Sequence, residues 1–375
     1  MFRVFSLHLL PLGLAAALAL SLATTLRATV ATAELRAITE RYAAANDFSG
    51  AVLVAENGHV LYSAGFGLAN REWSVRNTAD TRFRICSITK SFTAVLVLQL
   101  VQSGRLTLDR TVASLLSDYP AAIGQKITVH DLLVHRSGLS VPPDSAYVAP
   151  LSSNEFIHRY ASGALATSPG TAFAYNNADY VLLGAIIEKL TGRTYAEVLR
   201  EKILLPAGLT ETTLLTEEAI VPRLAYGYPL DDTHAGQLQR DPPYAITNFG
   251  PAGALTSTVA DLLRYDDALY TDTLLDARHR ELLFTASGRA ENYVAYGHWV
   301  FDRPVGALKS VHMIERRGNI YGFAGVFLRC PAEHRTIIIL ANTGRFNPDT
   351  FMDPTSLKEQ LILALYGQLP PPPAP

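Results

Sequence analysis

Strand-like sequence lies at both ends of this chain and helix-like sequence between them, an order that calls for a sheet assembled from distant segments. Near the start, Gly50-Ala51-Val52-Leu53-Val54 and His59-Val60-Leu61-Tyr62-Ser63 flank Glu56-Asn57-Gly58. The Asn-Gly pair supplies the positive backbone dihedrals of a tight hairpin turn. After Asn292, the runs Tyr296 to Phe301, Phe323 to Arg329 and Thr336 to Asn342 are β-branched or aromatic, separated by Pro, Gly and charged residues. They read as antiparallel strands.

From Ser87 to about Phe284 the signals are helical. Ser87 to Gln102 is apolar almost all round and closes on Gly104, as expected of a buried helix with a left-handed cap. Thr128 to Asp131, Thr194 to Glu197 and Thr258 to Asp261 each set a hydroxyl three residues before a carboxylate, the capping-box pattern or its Asp variant. Ala178 to Leu190 ends at Gly192 in the same manner as the first helix. Leu35 to Ala45 reads as a short opening helix, and Leu357 to Tyr366 as a closing one stopped by Gly367. The expected class is α/β (α+β): an antiparallel sheet flanked by N- and C-terminal helices, with a large, mainly helical insertion. Sheet sequence occupies about 34–85 and 290–367, and the helical part about 86–289. A cleft between the two parts is the natural place for a site.

Of the 375 residues, 49% are hydrophobic, enough for a large core within one composite unit spanning 34–367. Charged residues make up 18% and the formal net charge is -2, so no basic excess exists for holding phosphate backbones and no nucleic-acid partner is expected. The N-terminus has Arg3, an apolar run from Leu9 to Leu26, and then Ala31-Thr32-Ala33. That order is a secretory signal over 1–33, leaving Glu34 as the first mature residue in the periplasm or outside the cell. An uncleaved signal serving as a membrane anchor is the alternative, and no later stretch reaches the ~18 apolar residues of a spanning helix. The tail 368–375 is Pro-rich. Cys86 and Cys330 are the only cysteines. Buried free thiols are expected of them, with a single disulfide as the alternative.

Ser87-Ile88-Thr89-Lys90 stands where a polar segment gives way to the buried helix. Residues three apart share a helix face, so the Lys90 ammonium can reach the Ser87 hydroxyl, and a helix start aims N–H groups at developing negative charge. Alone, the tetrapeptide is weak evidence, since Ser-x-x-Lys arises by chance in many chains and then reads as an ordinary helix N-cap. Further on, Tyr175-Asn176-Asn177 follows a Pro169-Gly170 turn, and Arg316-Arg317-Gly318 precedes a strand.

Ser-x-x-Lys, Tyr-x-Asn and a basic-x-Gly strand motif in that order resemble the class C β-lactamases, the penicillin-binding DD-peptidases and the related carboxylesterases. Phe48 to Val54, Phe83 to Ile85, Leu132 to Leu139 and Pro251 to Leu255 also look like that family's recurrent segments. The resemblance implies a β-lactamase/transpeptidase-like fold. It makes Ser87 the acyl-forming nucleophile, with Lys90 and Tyr175 moving its proton jointly. It gives Asn177 to the substrate's carbonyl side and makes the N–H groups of Ser87 and Asn319, the residue after Gly318, an oxyanion hole. Where the family usually has Lys or His and then Thr or Ser, this chain has Arg316 and Arg317. Arg316 is accordingly expected to face a substrate carboxylate, with a solvated strand end beside Glu315 as the alternative for both arginines. The substitution shifts the expectation from β-lactams toward ester, peptide or other small acyl substrates.

Other motifs point elsewhere or nowhere. His130 and His135 are five apart, on different helix faces, and nothing resembles His-Glu-x-x-His, so no metal is expected. His135 reads as a structural hydrogen-bonder. There is no Gly-x-Ser-x-Gly elbow, and Gly65-Phe66-Gly67 lacks the third glycine of a dinucleotide loop. The sequence thus describes a serine hydrolase without metal or organic cofactor, acting on a small-molecule or peptide acyl substrate. A binding or scaffolding protein on the same fold is the reading from another class, and oligomeric state is not encoded legibly.

Overall fold

The computed structural model describes residues 32–231, 233–234, 236–287 and 293–369. The expected signal falls outside them but for its last two residues, as does the tail from Pro370 onward. Among the described residues no helix is long and apolar enough to cross a membrane.

An opening helix α1 (residues 32–46) leads into β1 (Gly50–Glu56) and β2 (His59–Phe66). Their turn has positive φ at Asn57 (53°) and Gly58 (73°), as the Asn-Gly pair requires. The remaining strands of this sheet come from the far end of the chain. They are β3 (Val294–Ala295), β4 (His298–Val305), β5 (Leu308–Ile320), β6 (Phe323–Cys330) and β7 (Arg335–Ala341). The seven strands lie in the order β2-β1-β7-β6-β5-β4-β3, every neighbouring pair antiparallel. The two ends of the chain therefore meet inside the sheet, Gly50 opposite Ala341 and Glu56 opposite Arg335.

Both faces of this sheet are covered, which explains why Ile337-Ile338-Ile339-Leu340-Ala341 shows no polar alternation. Ala51, Leu53, Ile338 and Leu340 pack toward the helical half. Val52, Val54, Ile337 and Ile339 pack on the other side with Leu35 and Ile38 of α1 and Leu357 and Leu361 of the closing helix. Each fully buried side chain of this size contributes ~1.5–3 kcal/mol from leaving water.

The helical half is organised on α2 (Thr89–Gln102), buried on all sides from Thr89 to Leu98. The sequence suggested a start at Ser87. Instead Cys86–Ile88 forms a 3₁₀ turn and the α-helix begins at Thr89, because Cys86 enters with φ +50°. Phe92 stacks on Tyr265 at 4.0 Å, and the Thr93 hydroxyl bonds to Pro251 O and Tyr195 OH. A short α3 (Val129–Leu133) opens with the expected capping box on Thr128 and Asp131, and a box on Thr194 and Glu197 opens the helix Tyr195–Leu199. The long α4 (Asn177–Thr191) is capped by Asn176 and ends at Gly192 with φ +71°. In α5 (Val259–Ala268) the box is only half formed. Thr258 accepts from Asp261 N–H, but the Asp261 carboxylate turns away to Glu211 N–H, the Thr212 hydroxyl and Arg264. The closing helix α6 (Leu357–Leu365) lies against β7 and α1. Cys86 and Cys330 are both buried and free.

Candidate active site

The strained residue is Cys86, not Ser87. Its left-handed backbone and buried side chain turn the next residue outward, and burial pushes its thiol far above the ordinary range. Ser87 then sits on the 3₁₀ turn at the mouth of a cavity of about 240 Å³, with Lys90 one turn further on.

Lys90 is fully buried. Its Nζ donates to Ser87 Oγ at 3.2 Å, Asn177 Oδ1 at 2.7 Å and Ala252 O at 2.8 Å, so each of an ammonium's three protons has an acceptor. Burial lowers its pKa to about 8, Arg316 adding to the effect and Tyr175 opposing it.

Tyr175 approaches Ser87 from the other side, its phenol oxygen 2.6 Å from Oγ. It is held by His135 on three counts. His135 O accepts from Ala174 N–H at 2.9 Å, its Nδ1 from Asn176 N–H at 3.3 Å, and its ring lies 4.5 Å from the Tyr175 ring. His135 has φ +56° and Nδ1 3.0 Å from Asp179 Oδ2, both groups buried. Burial holds His135 well below and Asp179 well above their usual ranges. Burial would likewise raise Tyr175, but the charges of Lys90 and Arg316 outweigh it and its pKa is lowered. Asp179 escaped sequence reading, although a carboxylate inside an otherwise apolar helix was its signal. Trp299 escaped it as well, because it reaches the site only through sheet pairing. His130 lies apart from His135, its Nδ1 2.8 Å from Tyr296 OH.

The third motif lies on β5. Gly318 brings that strand onto the nucleophile: a Cβ there would fall 2.5 Å from Ile85 O and 3.0 Å from Ser87 N. Asn319 follows it along the cavity wall. Arg316 departs from the strand-end reading given above, for it is 1% exposed. It lines the cavity, with Nε donating to Ser87 O at 2.9 Å and Nη2 to Tyr175 OH at 2.8 Å. Its guanidinium lies 5.0 Å over the Trp299 ring. Arg317 faces the rim, with Nη1 2.5 Å from Asp349 Oδ1 and Nε 3.4 Å from Glu315 Oε2.

The geometry brings Ser87, Lys90, Tyr175, Asn177, Arg316, Gly318 and Asn319 to one place. It can exchange a proton at a hydroxyl beside a small cavity. A family model described as Beta-lactamase matches residues 35–362. The chain is 28% identical to "Penicillin-binding protein 4*" of Bacillus subtilis (strain 168) over 362 residues, covering 89% of this chain and 76% of that protein. Two other curated penicillin-binding relatives match over 58% and 64% of this chain and over 58% and 59% of their own length. The solved octameric penicillin-binding protein homologue from Pyrococcus abyssi superposes with a TM-score of 0.76 at 27% identity, covering 90% of this chain and 77% of that one. The D-amino acid amidase from Ochrobactrum anthropi SV3 shares the fold, with a TM-score of 0.74 at 23% identity over 90% of this chain and 99% of that one.

Proposed function

The chain belongs to the β-lactamase family of serine hydrolases, and from that premise we propose that it cleaves ester or amide substrates through an acyl-enzyme on Ser87. The observation that carries this reading is Ser87 Oγ held between Tyr175 OH at 2.6 Å and Lys90 Nζ at 3.2 Å. In the proposed reaction Tyr175 acts as a phenolate, and the Ser87 proton passes to its oxygen as Oγ bonds to the substrate's carbonyl carbon. The carbonyl electron pair moves onto oxygen, facing the N–H groups of Ser87 and Asn319. When the pair returns, the bond to the leaving group breaks, and the leaving alcohol or amine takes the proton from Tyr175. Water then repeats the sequence on the acyl-enzyme, giving its proton to Tyr175 and releasing the acid as Ser87 regains a proton.

Two features favour Tyr175 and Lys90 acting as one unit. Lys90 as an ammonium has a partner for every proton, and its charge lies 4.9 Å over the Tyr175 ring, lowering the phenol's proton affinity. Arg316 adds a second cation at the phenol oxygen. Asn177 accepts from Lys90 through Oδ1 and its side chain also hydrogen-bonds Tyr147, and its place in the Tyr-x-Asn motif gives it to the substrate's carbonyl side. Intact-protein mass spectrometry after exposure to a fluorophosphonate and to a penicillin tests the reading. An adduct on the Ser87 peptide with at least one probe is expected; none with either, or an adduct on Ser91 or Cys86, removes it. Export belongs to the same proposal on residues 1–33 alone, and a secreted form beginning at Glu34 is its test.

A further inference from the structure

We infer that the Ser87 site selects acyl substrates lacking a carboxylate near the scissile bond, because Asp349 already serves Arg317 as an internal counterion. The inference rests on the acyl-enzyme reading above. Among the described residues, each cation at the cavity has partners within the protein. Lys90 spends its donors on Ser87, Asn177 and Ala252, and Arg316 is buried on Ser87 O and Tyr175 OH. Of these Arg317 reaches the rim, and there it meets Asp349 at 2.5 Å and Glu315 at 3.4 Å. Glu315 is fixed in turn by Lys358 at 2.8 Å.

The exposures decide what an arriving substrate meets. The Arg317 side chain is 24% exposed and that of Asp349 63%, so the rim presents carboxylate more than guanidinium. A substrate carboxylate must displace Asp349 to reach Arg317, approaching a like charge as it does so. Trp299 lines the same cavity, braced edge-on by Phe173 at 6.0 Å and Tyr293 at 5.9 Å and with Arg316 over one part of its ring. The acidic rim and the indole together describe a neutral ester or amide with an apolar group against the indole. An ion pair this exposed shifts an equilibrium by only up to about fivefold, and with like-charge repulsion added the discrimination expected is about 5- to 10-fold.

The test uses aryl esters of one dicarboxylic acid, the far carboxyl free in one and a primary amide in the other. The kcat/KM ratio of amide to acid is read for the full chain, for Asp349→Asn, for Asp349→Asn with Arg317→Ala, and for Ser87→Ala. A ratio within one variant is independent of how much of it has folded. The wild type should favour the amide about 5- to 10-fold, Asp349→Asn should bring the ratio to one or reverse it, and with Arg317→Ala added the ratio should settle near one, any reversal being lost. A wild-type preference for the acid, or a ratio untouched by Asp349→Asn, overturns the inference while Ser87-dependent turnover leaves the acyl-enzyme reading standing. Turnover of neither ester, or turnover surviving Ser87→Ala, removes that reading and the inference together.

Discussion

Arg316 Nη2 stands 2.8 Å from the Tyr175 oxygen, joining a sheet residue to a phenol 141 residues away in sequence. The same guanidinium holds Ser87 O through Nε. Arg316 thus fixes the hydroxyl and its proton acceptor relative to one another, and it does so from the opposite half of the fold. Lysine could supply the charge but not both bonds, since its ammonium is a point rather than a fork.

Replacing Arg316 should therefore change the pH profile as well as the rate. Arg316 lowers the Tyr175 pKa, so Arg316→Ala should raise it and move the acid limb of kcat/KM to higher pH. A charge-assisted bond is worth ~1.5–3 kcal/mol, or roughly a 10- to 150-fold loss at neutral pH. Arg316→Lys should recover part of the pH position and little of the rate. An acid limb that stays in place in Arg316→Ala would show that the guanidinium acts only on structure.

On the alkaline side the controlling group is Lys90, with a pKa of about 8. Above that value the ammonium discharges, Tyr175 loses a neighbouring cation, and its proton affinity rises. We expect kcat/KM to fall with a midpoint near 8. Steady-state rates on a neutral ester between pH 6 and 10 decide this, and a profile flat across that range contradicts it.

Lys90→Ala and Tyr175→Phe should each lower kcat by about 10²- to 10⁴-fold. Their combination should lose little beyond the worse single change, because both serve one proton. Single-turnover rates of the three variants supply the comparison, and losses that multiply would mean two independent roles.

Gly318→Ala should be costly for a reason unrelated to conformational freedom. The added methyl meets Ile85 O at 2.5 Å, so β5 must withdraw from Ser87. We expect roughly 1–3 kcal/mol of lost stability by denaturant unfolding. The loss of activity should be larger, at about 10²-fold or more, if Asn319 N–H serves the developing oxyanion.

Neither thiol should react with an alkylating reagent in the folded chain. Burial raises Cys86 far above the usual range and Cys330 to about 11, and reaction requires the thiolate. Mass spectrometry should find both modified only after denaturation. Native-state labelling of Cys86 would show that the turn carrying Ser87 opens.

Much of this was legible from sequence, and the failures follow a pattern. The hairpin at Asn57-Gly58, the left-handed stop at Gly192 and the sheet built from both ends depend on local chemistry or on hydrophobic runs. The gathering of Ser87, Lys90, Tyr175 and Asn177 followed from motif order, and His135 was read rightly as structural. The strand-end reading beside Glu315 fits Arg317 and fails for Arg316, because neighbouring strand residues face opposite ways and one position decides which arginine enters the core. Nothing local marks that choice. The half-formed box at Thr258 failed for a related reason: Thr212 and Glu211, distant in sequence, compete for the Asp261 carboxylate and win it. Trp299 and Asp349 reach the cavity only through tertiary placement.

The pairing of Gly50 with Ala341 and of Glu56 with Arg335 sets a schedule for the growing chain. β1 can form its hairpin with β2 as soon as both are synthesised, but its other edge stays open until β7 exists. Pairings across so long a separation form slowly, since loop closure must precede the contacts that reward it. During that interval the apolar edge of β1 is a template for pairing with another chain. A ribosome stalled before Arg335 should hold a polypeptide that proteases cut freely. Resistance should appear abruptly once the last strand has emerged, rather than growing with length.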